Sequence, residues 1–243
     1  MRVAIISDIH ANRQALEAVL EQAGAARCDE VWCLGDIVGY GADPEACVGL
    51  IRAHADLCLA GNHDLGVTGA LSVEAFSDVA RRAAIWTAGV ISARTREFLA
   101  SLAPAGERDP VSLYHGSARD PVWEYVITPQ QAELAMAAQE HRISLVGHTH
   151  VPVAFQRRDG ERAVGGARRE GEQLELGLGR WLLNPGSVGQ PRDGDPRAAW
   201  LELDADRWTA SFRRVGYDVS GAARAIRAAG LPEALAERLH AGQ

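Results

Sequence analysis

Hydrophobic residues fall in short runs through the first 150 positions, and most runs stop at a glycine, an aspartate or a histidine. Residues 2–7 form an apolar run of strand length. Asn12 is a good N-cap, and after it Leu16, Val19, Leu20 and Ala23 recur at helical spacing. Residues 31–34 and 57–60 are expected as strands, with a helix over 43–53 between them. One long alanine-rich helix is expected over 72–102, ending before Pro104. Strand returns at Val111–Tyr114. Thr128-Pro129-Gln130-Gln131 then opens a helix with a capping box and proline in its first turn. Residues 143–146 form the strand that runs into Gly147-His148-Thr149-His150.

Beyond residue 150 the pattern shifts to short strands in hairpins, at 151–158, 173–178, 181–183, Ala198–Asp204 and Thr209–Val215. Asp159-Gly160 and Asp193-Gly194 supply turn signals, and the charged stretch 156–173 is expected as a solvated hairpin. Residues 220–243 form two short helices broken at Gly230-Leu231-Pro232. No linker separates the halves. The expectation is one α/β domain over 1–243, with two packed sheets and helices outside.

Composition narrows the function. A net charge of −7 and a pI near 5.6 disfavour stable nucleic-acid binding, which wants a basic stripe. All 25 basic residues are arginine, so any phosphate clamp must use its planar fork. The four cysteines match no zinc or redox spacing, and Cys33 and Cys58 fall inside strand-like runs. The first apolar run is cut short by Asp8, and none approaches a membrane span, so a cytoplasmic protein with reduced thiols and no membrane partner is expected.

Candidate chemistry sits where the runs stop. Asp8-Ile9-His10, Gly35-Asp36-Ile37-Val38-Gly39, Gly61-Asn62-His63-Asp64, His115-Gly116 and Gly147-His148-Thr149-His150 hold five of the eight histidines. In extended chain, residues two apart point the same way, which would let Asp8 with His10, and His148 with His150, share an ion. Asp36 has two oxygens and can bridge two ions, Asn62 offers a neutral carbonyl, and His115 adds an imidazole. Two divalent ions with only Asp8 and Asp36 as charged ligands keep a net charge of about +2, which attracts an anion and acidifies bound water. That suits attack of hydroxide on phosphorus. Mixed N/O ligation without thiolate admits Mn, Fe, Co, Ni or Zn.

At these residues the chain resembles the calcineurin-like metallophosphoesterase superfamily. The resemblance implies a four-layer α/β/β/α sandwich of two mixed β-sheets flanked by helices. It implies one ion on Asp8, His10, Asp36 and His150, and a second on Asp36, Asn62, His115 and His148. His63 would not bind metal; it would act on the transition state and the leaving oxygen, making His63 and Asp36 the catalytic pair. Stretches 35–44, 115–125, 184–192 and 225–239 resemble the small bacterial branch related to diadenosine-polyphosphate hydrolases. This favours a small phosphorylated substrate, a nucleotide or dinucleoside polyphosphate, over a cyclic nucleotide or a general phosphomonoester. Protein phosphatases of the superfamily carry an Asp-Arg pair where this chain has Gly39 and Tyr40, which disfavours that activity and leaves His63 in need of a partner; Asp64 is one candidate. Arg119 and Arg192 are the candidate anion grips, and Tyr40 either stacks on a base or packs. A non-catalytic scaffold would have lost ligands, whereas all seven positions and His63 are filled here. Monomer and homodimer both stay open.

Overall fold

The computed structural model describes residues 1–243 and opens with β1 (Arg2–Ile6), α1 (Arg13–Ala25), β2 (Glu30–Cys33), α2 (Pro44–His54), β3 (Leu57–Cys58) and α3 (Asn62–Thr68). After a 3-10 turn at Val73–Ala75 come α4 (Asp78–Val90), α5 (Ala93–Ala100), β4 (Ala105–Arg108), β5 (Val111–Tyr114), α6 (Pro129–Ala138) and β6 (Ile143–Leu145). The remainder is β7 (Pro152–Arg157), β8 (Val164–Ala167), β9 (Gln173–Glu175), β10 (Arg180–Pro185), β11 (Ala198–Asp204), β12 (Thr209–Val215), α7 (Val219–Ala228) and α8 (Glu233–Ala241).

The strands form two six-stranded mixed sheets, ordered β3-β2-β1-β11-β12-β9 and β4-β5-β6-β10-β7-β8. In the first, β3, β2 and β1 run parallel in one half and β11 pairs antiparallel with β1; in the second, β5, β6 and β10 run parallel at the centre with antiparallel strands β4 and β7 on either side. The period of two sorts side chains between layers. Along β1, Val3 and Ile5 enter the core between the sheets, where they meet Trp32, Leu113, Leu145 and Leu201. Ala4 and Ile6 face the opposite way, into a larger core with Leu16 and Val19 of α1, Val48 and Ile51 of α2, and Ile226 and Leu235 from α7 and α8. Met136 of α6 covers the other sheet with Phe155 and Leu182. The result is the four-layer α/β/β/α sandwich.

One local expectation is revised. The stretch 72–102 is not one helix, because the Ser77 and Ser92 side chains accept from the N–H groups of Ala80 and Thr95 and so open α4 and α5 separately. The segment at Asn62 starts α3, its N-terminus closed by Gly61 N–H donating to Asp64 Oδ2 at 2.9 Å. Strands β4 and β8, with sequences AGER and VGGA, carry no hydrophobic alternation and exist through pairing alone. The 156–173 hairpin forms as expected, β8 lying antiparallel on β7.

Candidate metal centre

The loops after β1, β2, β5 and β6 and the first turn of α3 converge on one edge of the sandwich. What turns the ligands inward is not the alternation of an extended strand. Asp8, His10, Asp36, His148 and His150 all have left-handed backbone, with φ between 50° and 64°. Such residues cost energy unless the surroundings hold them, and they concentrate at functional sites. Here the hold is an interlaced set of main-chain bonds: Asp8 N–H to the Gly35 carbonyl, His10 N–H to that of Asp36, and Gly147 N–H to that of His115. Gly147 is required by packing, since a Cβ there would lie 2.1 Å from Ser7 Oγ.

Seven side chains then meet in two nests. In the first, Asp8 Oδ1 lies 3.4 Å from His150 Nε2 and 4.0 Å from His10 Nε2, and the two histidine nitrogens are 3.1 Å apart. In the second, His115 Nε2 lies 3.2 Å from both His148 Nδ1 and Asn62 Oδ1. Asp36 joins them through a single oxygen: Oδ2 is 3.6 Å from His10 Nε2 and 3.5 Å from His115 Nε2, while Oδ1 accepts the backbone N–H of His63 at 2.8 Å. All seven are buried.

The protonation pattern shows what these nests can hold. His10, His115 and His150 donate Nδ1–H to the carbonyls of Val38, Leu34 and Gln190 at 3.2, 3.0 and 2.6 Å. Burial keeps His10 and His150 neutral, so their Nε2 atoms are bare lone pairs, aimed at one another and at carboxylates, and Asp8 Oδ1 has no hydrogen-bond partner at all. Acceptors facing acceptors in a buried site repel unless a cation lies between them. Burial is also the first cause holding His10 and His150 well below the ordinary histidine range and His148 down at about 2, so the imidazoles stay neutral and ready to ligate. Burial raises Asp8 to about 7 and Asp36 well above the carboxylate range. The donor set fits divalent metal.

His63 stands beside the nests, its ring 4.9 Å from His10, 4.4 Å from Tyr40 and 4.9 Å from Phe76. Its Nδ1 has no partner. Asp64 does not supply one, because its carboxylate accepts the N–H groups of Ile37, Val38 and Gly61. Nor could residue 39 do so: Gly39 has φ +88°, and a Cβ there would lie 2.4 Å from His63 Nδ1. A cavity of about 550 Å³ opens over the site, lined by Asp36, Asn62, His63, His148, His150 and, among others, Arg192 and Tyr40. The Arg192 guanidinium lies 5.9 Å from the Tyr40 ring centroid and donates to Gln190 Oε1 at 3.0 Å. Arg119 is elsewhere: it pairs with Glu124 at 3.3 Å and does not line this cavity.

Several contributors carried no recognisable signal in the sequence. Buried Asn184 donates to the Gly147 carbonyl at 2.6 Å and the Thr149 hydroxyl at 3.0 Å, fixing the loop that presents His148 and His150. Ser187 Oγ donates to the Asp8 carbonyl at 2.7 Å. Phe76, Trp123, Tyr125 and Arg238 complete the cavity wall. Asn184 and Ser187 lay within a recognised stretch, 184–192, but nothing in it marked them as supports for ligands far away in sequence.

Residues 1–206 match the model of the calcineurin-like phosphoesterase superfamily domain. The chain belongs to this superfamily. As a member it is a metal-dependent phosphoesterase, the class its buried donor nests fit. It is similar over its full length to a metallophosphoesterase structure from Sphaerobacter thermophilus, at 43% identity and a TM-score of 0.90, covering 100% of this chain and 99% of that one. An uncharacterized protein of Methanocaldococcus jannaschii is 37% identical, covering 99% of this chain and 98% of its own. A hypothetical protein from Pyrococcus horikoshii shares the fold, at 19% identity and a TM-score of 0.81, with 100% of this chain and 98% of that chain covered.

Proposed function

We propose that this phosphoesterase works with two divalent ions, one on Asp8, His10, Asp36 and His150 and the other on Asp36, Asn62, His115 and His148, and hydrolyses a phosphoester or phosphoanhydride bond in a small substrate. The observation that carries the reading is Asp36 Oδ2, set between the two nests at 3.6 and 3.5 Å from a histidine of each. When bound, such ions supply Lewis acidity to phosphoryl oxygens and bring the pKa of a water from ~15.7 toward ~7.

The chain's own groups do the rest. Arg192, unpaired with any carboxylate, grips the phosphate oxygens from the cavity wall. His63, whose Nδ1 no protein group occupies, stabilises charge in the transition state; burial lowers its pKa to about 3, so it gives a proton to the departing oxygen only where the negative charge of the bound phosphate has first drawn a proton onto it from solvent. Nucleotides, dinucleoside polyphosphates included, are the favoured substrates, supported by the likeness of residues 35–44, 115–125 and 184–192 to the diadenosine-polyphosphate hydrolase branch. Gly39 and Tyr40, which replace the Asp-Arg pair, argue against phosphoproteins.

The test is a panel of an aryl phosphate, an aryl phosphodiester, a cyclic nucleotide and diadenosine tetraphosphate, run with Mn-loaded and EDTA-dialysed protein while metal per chain is assayed. Hydrolysis by the loaded form alone, with two equivalents of metal, is expected. Undiminished turnover after metal removal would overturn the reading, and hydrolysis of the aryl monoester alone would overturn the nucleotide preference.

A further inference from the structure

The cavity over the metal ligands has a wall whose composition is not explained by phosphate chemistry. Trp123 and Tyr125 line it on the His148 side, with Phe76 beyond Trp123. Tyr125 stacks on the His148 imidazole at 4.3 Å and 7°, and Trp123 meets the same imidazole edge-on at 6.2 Å. Trp123 also packs edge-to-face on Phe76 at 5.7 Å. Tyr125 is 44% exposed although it belongs to this tight cluster.

The wall is built to be rigid. Gly116, next to ligand His115, starts a turn in which its N–H donates to the Pro121 carbonyl and Ser117 N–H to that of Asp120. Asp120 Oδ1 accepts the N–H groups of Val122 and Trp123, and Ser117 Oγ bonds Glu124. Both aromatic rings are thus held by the loop that carries a metal ligand, so a group resting on them has a defined distance from the reaction centre. Tyr40, the other candidate base platform, is unsuited, because its ring is buried against His10 and His63 under Arg192.

Two arginines line the cavity, Arg192 and Arg238. The Nε of Arg192 is buried without an acceptor. A buried arginine N–H without an acceptor beside an aromatic wall with free edges calls for a ligand that is anionic at one end and planar at the other. A cavity of about 550 Å³ holds such a ligand.

We infer that Trp123 and Tyr125 form a base-stacking wall that makes this site selective for nucleoside phosphates over ring-free phosphates. The inference rests on the phosphohydrolase reading for the position of the phosphate, but its test does not require turnover.

Calorimetry on the Mn-loaded protein carrying His63→Asn, to suppress hydrolysis, compares AMP, ribose 5-phosphate and phenyl phosphate. AMP is expected to bind about tenfold or more tighter than ribose 5-phosphate, the contribution of one base–aromatic stack. Trp123→Leu should remove most of that advantage while leaving ribose 5-phosphate within about twofold, since stacking acts on the ring alone. Tyr125→Leu should act in the same direction, with bound metal per chain assayed alongside because the Tyr125 ring stacks on ligand His148. Equal binding of AMP and ribose 5-phosphate overturns the proposal, as does a Trp123→Leu or Tyr125→Leu effect shared equally by both. Phenyl phosphate binding as tightly as AMP overturns the assignment to nucleosides. Wild-type hydrolysis of phosphoesters without any AMP advantage in binding defeats the wall alone; absence of metal and of all hydrolysis defeats the phosphohydrolase reading instead, and the binding ratio still judges the wall.

Discussion

Asp36 divides its two oxygens between tasks: Oδ1 accepts the His63 N–H, and Oδ2 faces both donor nests. Asp36→Asn replaces the anionic bridge with a neutral amide. It should lower bound metal and turnover together, the metal read by elemental analysis of the dialysed protein. His63→Asn should keep the metal and lose about 10²–10⁴ in kcat, the usual loss of a general acid. Retained turnover would remove His63 from the mechanism. Asp8 predicts a pH dependence. Burial raises its pKa to about 7, so the folded, metal-free chain holds a proton there that ligation must expel. His10, His148 and His150 are already neutral and release nothing. Metal affinity should therefore rise with pH through about 7, with proton release on mixing, measurable with an indicator dye. An affinity flat between acid and neutral pH would contradict this assignment.

Among the elements, the connections between strand and helix matter more than their lengths. Asn12 was recognisable as a cap from its position before the apolar repeat, and its Oδ1 does accept Ala15 N–H at 3.2 Å. Its Nδ2 has a second role with no local signature, donating to the Gly189 carbonyl at 2.9 Å and the Tyr217 hydroxyl at 3.2 Å. Asn12→Ala thus removes a cap worth ~1 kcal/mol and leaves the buried Gly189 carbonyl and the half-buried Tyr217 hydroxyl short of a bond, about 1–3 kcal/mol more. Denaturant unfolding should show a loss at the upper end of that range, and a loss confined to the cap value would mean water replaces the long-range bonds. The broken 72–102 helix shows the converse limit. Alanine content favoured one helix, but Ser77 and Ser92 offered caps, and propensity differences of a few tenths of a kcal/mol per residue do not override them.

Across the whole molecule the donor nests straddle the sandwich. Asp8, Asp36 and Asn62 come from the ends of β1, β2 and β3 in one sheet, while His115, His148 and His150 come from β5 and β6 in the other. Bound metal would then tie the sheets together, and a ligand that binds only the folded state stabilises it by mass action. The melting temperature should fall on exhaustive chelation and climb with added Mn, in scanning calorimetry, and less so for Asp36→Asn. No shift on chelation would mean the nests do not clamp the sheets. No helix is long and apolar enough to cross a membrane.

The sequence by itself predicted most of the strands and helices, though not β4 or the break between α4 and α5, and nominated the residues that the fold gathers into the donor nests. Both are local facts: hydrophobic period reports the element, and a ligand-bearing residue where a run stops reports the chemistry. Only the tertiary structure decided how the donors converge, through left-handed loop residues that no residue type announces. It also decided which oxygen of Asp36 is shared, that Asp64 serves backbone N–H groups and leaves His63 alone, and that Arg192 but not Arg119 reaches the cavity. The reason is physical. These outcomes depend on main-chain bonds and close approaches between segments tens to hundreds of residues apart, such as Asn184 on Gly147 or Ser187 on Asp8, and spacing along the chain carries no record of them.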